Sequence, residues 1–189
     1  MKTLVIGALG ALLSSLTVAP GAAASDAHEH GQAKLGKVHF VTDCNAEAQK
    51  QFDVAMAYYH SFAWGQIGPP LDRTLAADPD CGMAHWARAL ASLDNPFGRP
   101  GNVSPKTLAA GQPPLELARK TGLRTQRVRD YVDALEAFFR DHDKLDHRTR
   151  AKALEERLEQ VAQRYPEDSE ASVLHALILS ANFDPADKE

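Results

Sequence analysis

The sequence predicts an all-α chain built of helix-turn-helix repeats stacked as an irregular α-solenoid. Three observations lead there. Apolar residues recur at helical spacing along most of the chain, and no run shows the period-two alternation of a strand. Proline and glycine punctuate these stripes at intervals that fit short connections. Two distant stretches, Leu75 to Leu90 and Val161 to Leu177, share one layout: a stripe ends at a proline flanked by an acid (Asp78-Pro79, Pro166-Glu167), and ten residues later an alanine (Ala89, Ala176) sits in a new stripe. A helix, tight turn, helix joint used twice is the mark of a repeat array, whose usual work is to grip other polypeptides.

The chain opens on Met1-Lys2-Thr3, a short basic start, followed by an apolar run from Leu4 to Val18 and the small residues Ala22-Ala23-Ala24 before Ser25. This is the pattern of a secretory signal peptide over 1–24. Pro20-Gly21 cuts the run short of the roughly 20 residues that span a bilayer. No cysteine follows it to carry a lipid anchor, so no membrane anchor is expected once the signal is removed. The 21 Lys and Arg against 25 Asp and Glu give a formal net charge of −4 over 189 residues. Loss of Lys2 makes the balance more negative, which argues against a binder of nucleic-acid phosphates.

Residues 25–43 carry Asp26, His28, Glu29, His30, Gly31 and Gly36, with few large apolar groups before Val38 and Phe40, and are expected to form a mobile leader that docks only at its end. A helical repeat domain is expected over 44–189. Asn45 caps a first helix bearing Ala48, Phe52, Ala55, Tyr59, Phe62 and Ala63, which Gly65, Gly68, Pro69 and Pro70 stop. Pro70 then opens a short second helix with Asp72 in its first turn. Met83, Trp86, Ala87, Leu90 and Leu93 form the third stripe, closed by Asn95-Pro96-Phe97-Gly98. Ser104-Pro105 starts a helix that Gly111-Gln112-Pro113-Pro114 is expected to break, with a restart at Leu115 running to Gly122. Val128, Tyr131, Val132, Leu135, Phe138 and Phe139, at offsets 0, 3, 4, 7, 10 and 11, mark the clearest amphipathic helix. Asp146 caps a long helix carrying Leu154, Leu158 and Val161, and Ala171, Leu174, Leu177 and Ile178 mark the last. The helix pairs start near Asn45, Gly82, Arg124 and Asp168, at spacings of 37, 42 and 44 residues. With Glu189 following soon after Phe183-Asp184-Pro185, the fourth pair has only its first helix, whose bare face suits either a shortened chain or self-association.

The two cysteines, Cys44 and Cys81, lie 37 residues apart. An antiparallel hairpin of helices between them returns both to one edge, where a disulfide is geometrically reasonable, and export would favour it; two free thiols are the alternative.

Ala55, Tyr58, Leu71, Pro79 and Ala89, and later Leu158, Pro166 and Ala176, resemble the tetratricopeptide-repeat family, and Tyr59-His60-Ser61-Phe62 and Ala77-Asp78-Pro79-Asp80-Cys81 look like its exported bacterial members with divergent repeats. The resemblance covers 44–185. It implies antiparallel helix pairs stacked into a right-handed superhelix whose concave groove binds peptides or proteins. The chain departs from the pattern at Gly65, Gly68, Pro69 and Pro70, at Thr74 in place of a small alanine, and at Pro113-Pro114.

Candidate chemistry is sparse. His60, His85 and His175 fall near apolar stripes, where packing explains them, and Trp64 and Trp86 suit a core or a groove. Asp143 and His147, in the turn Asp141 to His147, would share a face if that stretch were helical and would offer two donors to zinc or copper. The competing reading is an acidic turn with Asp146 as a cap. His28 and His30 in the leader form a second candidate: a mature start at Asp26 would place His28 third, the arrangement that wraps Cu(II) or Ni(II) in nitrogen donors. Glycine-rich phosphate loops, zinc-protease helices and nucleophile elbows are absent from the sequence. The expectation is an exported, periplasmic or secreted scaffold that binds another protein or peptide, with no catalytic residues and no cofactor. Its alternative is a periplasmic metal-binding or metal-responsive protein using the histidine-bearing leader.

Overall fold

A computed structural model describes residues 35–95 and 103–183. The signal peptide expected over 1–24, and the candidate metal ligands His28 and His30, lie outside them. Seven helices and no strand occur among the described residues: α1 (Ala46–His60), α2 (Gly68–Ala77), α3 (Gly82–Ser92), α4 (Pro105–Lys120), α5 (Gln126–Phe139), α6 (His147–Arg164) and α7 (Ser169–Asn182). The all-α class is as the sequence predicts. Successive helices pack in pairs, α1 with α2, α3 with α4, α5 with α6, and α7 lies on α6. Seven-residue connections join α1 to α2 and α5 to α6 as antiparallel neighbours, and α3 and α4 run antiparallel because Gly82 meets Ala118 and Thr121 while Gly111 meets Ser92.

Capping chemistry sets most of the starts. The side chains of Asn45, Ser104, Thr125, Asp146 and Asp168 each accept from a first-turn N–H of the helix that follows. Asn45 also ties neighbours together, since its Nδ2 donates to the Ala77 carbonyl at 2.7 Å and its backbone N to Asp78 at 2.8 Å, holding the start of α1 beside the end of α2. α2 begins two residues earlier than Pro70 suggested, with Pro69 in its first turn. Asp72 therefore sits past that turn and pairs with Arg88 on α3. Thr74, where a small alanine is usual, is fully buried with its hydroxyl donated to the Pro70 carbonyl at 2.9 Å, so no polar atom is stranded.

The expected break at Gly111-Gln112-Pro113-Pro114 does not occur. α4 runs unbroken through both prolines. The two amide donors they remove would have served the carbonyls of Ala109 and Ala110, and both of those residues are exposed, where water can take the acceptors. The opposite face, Leu108, Gly111, Leu115 and Ala118, is buried at helical spacing, so packing outweighs the local penalty. Gly111 is the contact point: a Cβ there would stand 2.1 Å from the Phe139 ring and 2.8 Å from Ser92 Oγ. Gly111→Ala is therefore expected to lower stability by about 1–3 kcal/mol, the usual cost of overpacking, in a urea titration read by far-ultraviolet circular dichroism. An unchanged midpoint would show that α3, α4 and α5 do not meet this closely.

Segment 35–43 has no helical structure, and its end is docked as expected. Phe40 is fully buried among Phe52 of α1, Trp86 of α3 and Tyr131 of α5, in edge-on contacts with ring centroids 5.7, 5.7 and 4.9 Å away. The core thus gathers on the first helices of the pairs, with this one non-helical side chain at its centre.

Candidate functional site

Three regions carry polar or exposed apolar groups in unusual concentration. The first is the surface of α1, α3 and α5 on which residues 38–43 lie. Extended backbone offers unpaired amides and carbonyls, and helix side chains meet them here in turn. Phe40 N donates to Asp53 Oδ1 at 3.1 Å, the Phe40 carbonyl accepts from Gln49 Nε2 at 2.8 Å, the Val41 carbonyl accepts from Arg127 at 2.8 Å, and Thr42 N donates to Gln49 Oε1 at 2.7 Å. Asp43 then accepts from the backbone N–H groups of Arg124 and Thr125, both at 2.7 Å, just before α5. Next to it the sulfurs of Cys44 and Cys81 are bonded across a Cα separation of 5.0 Å.

The guanidinium of Arg127 lies 5.4 Å from the Phe40 ring centroid and 5.2 Å from that of Tyr131, and its Nε donates to Asp168 at 2.6 Å. The Tyr131 hydroxyl donates to the same carboxylate at 2.7 Å. Burial, with Asp168 beside it, pushes the Tyr131 phenol well up, so it stays a donor. On the same side His60 Nε2, at the end of α1, stands 2.7 Å from Glu170 Oε2 at the start of α7. Phe40 is therefore packed between α1, α3 and α5, and the His60–Glu170 contact bridges α1 to α7.

The second region is the turn between α5 and α6. Asp146 caps α6, and buried Arg150 donates to the carbonyls of Phe138 at 2.9 Å and Leu145 at 3.2 Å while its guanidinium lies over the Phe138 ring. His147 packs edge-on against the same ring at 5.7 Å, and burial holds its imidazole below the ordinary value, which favours the neutral form. Asp143 is exposed in the turn, outside the helix that would have put it on one face with His147. No group of three or more His, Cys, Asp or Glu disposed to hold a metal ion occurs among the described residues. A cavity of about 40 Å³ lies beside His147, bounded by Leu93, Phe138, Leu154 and Ile178. It has room for roughly two or three waters.

The third region is the outer face of α7. Ala171, Leu174 and Ile178 point into the core, yet Val173, Leu179 and Phe183 on the far side are 46, 49 and 71% exposed. Ala176 is exposed as well, whereas Ala89, its equivalent ten residues past Pro79, is fully buried. The difference is the covering helix, which α3 has in α4 and α7 lacks among the described residues. Sequence reasoning singled out neither Phe40 as a hub nor Asp168 as a shared acceptor, since one extended residue and one capping acid leave no periodic signal. The other two histidines near apolar stripes are packed: His85 is buried with its imidazole held low by burial, and His175 is half-buried on α7.

No family model matches the chain, nor does any curated protein or solved structure. The tetratricopeptide resemblance rests on the residues quoted for it.

Proposed function

We propose that this chain is an exported helical scaffold that binds another protein and performs no chemistry of its own. The observation that carries the reading is the outer face of α7, which leaves Val173, Ala176, Leu179 and Phe183 in water on a helix apolar around most of its circumference. A helix of that composition is normally covered on all sides. The strongest polar clusters are already spent: Asp168 on Arg127, Tyr131 and the cap of α7, Glu170 on His60, and Asp130 on Gln126, Arg164 and Tyr165. Residues 38–43 are packed on α1, α3 and α5, which supports a reading with the partner on α7 instead. Export is supported by the basic-then-apolar start of the chain and by the Cys44–Cys81 bond, which persists in oxidising compartments.

The test is site-specific photocrosslinking in the exporting cell, with a photoreactive residue at position 179 and a control at exposed Glu116 on α4. Adducts at 179 and not at 116 are expected. Equal or absent crosslinking at the two positions would overturn the reading.

A further inference from the structure

We infer that the partner on this face is a second copy of the same chain, with α7 paired antiparallel to its two-fold mate; this rests on the protein-binding reading above. The argument starts from the order of side chains along the bare face. Ser172, Ala176 and Leu179 follow one another at spacings of four and three residues in a line down α7, with Val173 and Ser180 beside it, and Phe183, the residue that ends the helix, stands four further on. All six are exposed. The two small members stand at the N-terminal end and the two large ones at the C-terminal end.

That polarity selects the orientation. A parallel mate would set Phe183 against Phe183 and Ser172 against Ser172, a bulge at one end and a gap at the other. An antiparallel mate centred between Ala176 and Leu179 sets Ser172 against Phe183 and Ala176 against Leu179, and by symmetry the reverse. Every contact then joins a small to a large side chain, the alternation that lets facing layers interdigitate. An interface that satisfies itself under a two-fold is isologous and closes at two copies. It also reproduces the geometry inside the chain, where each first helix of a pair is covered by an antiparallel second one; the mate's α7 takes the place that α2 takes on α1.

Charge agrees with self-pairing. α7 holds no Lys or Arg, and its one carboxylate, Glu170, is buried against His60. A two-fold contact brings two identical faces together, so a face bearing charge of one sign would repel its mate, and this face of α7 carries none.

Sedimentation equilibrium of the mature chain across a concentration series is expected to give twice the chain mass, and Leu179→Glu is expected to weaken association at least about tenfold with unchanged circular dichroism. Ala176 lies near the two-fold and Ser172 far from it. Ala176→Cys should therefore form a chain-to-chain disulfide under mild oxidation, and Ser172→Cys should not. A wild-type chain that stays monomeric to about 1 mM, with Ala176→Cys inert, overturns the inference. If such a monomer still gives adducts to a different protein at position 179, the scaffold reading survives without self-pairing; if it gives none, both fall.

Discussion

Phe40→Ala is expected to lower the free energy of unfolding by about 3–5 kcal/mol, the range for removing a fully enclosed aromatic side chain. The size follows from where the ring sits. Phe40 is 0% exposed and touches Phe52, Trp86 and Tyr131, one residue from each of α1, α3 and α5. Edge-on aromatic pairs add about 0.5–1.5 kcal/mol beyond the area they bury, and three are lost together. The cavity left behind cannot close by a small shift, because the neighbouring backbone is pinned on both sides: Phe40 N and its carbonyl to Asp53 and Gln49, and the Val41 carbonyl to Arg127. The control is Val41→Ala one residue away. Val41 is 52% exposed, and its truncation should stay within about 0.5 kcal/mol. Urea unfolding of both variants decides the matter: a Phe40→Ala loss below about 1.5 kcal/mol would mean that segment 38–43 is a surface strap and no part of the core.

This hub was the least legible part of the molecule. Helices announce themselves by repetition, and α5, with six apolar residues at offsets 0 to 11, is found in the structure where that pattern puts it. A non-helical segment docked through a single ring repeats nothing. The proline pair in α4 misled for a different reason. The rule that proline breaks a helix concerns local donors and sterics, whereas the outcome was set by Leu108, Gly111, Leu115 and Ala118 meeting α3 and α5, a fact no window of α4 contains. Ala89 and Ala176 show the limit of repeat reasoning: they share a register, but burial belongs to the helix opposite, present for one and absent for the other among the described residues. The docking of residues 38–43 on α1, α3 and α5 follows the same logic, since it joins parts of the chain 81 to 86 residues apart, as in the Asp43–Arg124 and Val41–Arg127 contacts.

The cysteine pair was legible because only topology was needed. A hairpin of helices returns its ends to one edge, and Cys44 before α1 and Cys81 before α3 are joined there. Replacing both with serine is expected to lower stability by roughly 4 kcal/mol, the loop-closure entropy that a 37-residue separation removes from the unfolded chain. The native shape should survive, because the same edge is held three other ways: by Asn45 on Ala77 and Asp78, by Asp43 on the start of α5, and by Phe40. The effect therefore belongs to the unfolded ensemble, and the double variant should keep its helicity while its urea midpoint falls. Combining it with Phe40→Ala tests the link between the two. Both changes act on one segment, so their costs should couple by more than the few tenths of a kcal/mol seen for independent sites. With the bridge gone and the ring gone, residues 38–43 are held chiefly by the hydrogen bonds to Asp53, Gln49, Arg127 and the start of α5, and their amides should lose protection from exchange together. Strict additivity, or a double-serine cost under about 1 kcal/mol, would show that the bridge neither restricts the unfolded chain nor anchors the segment.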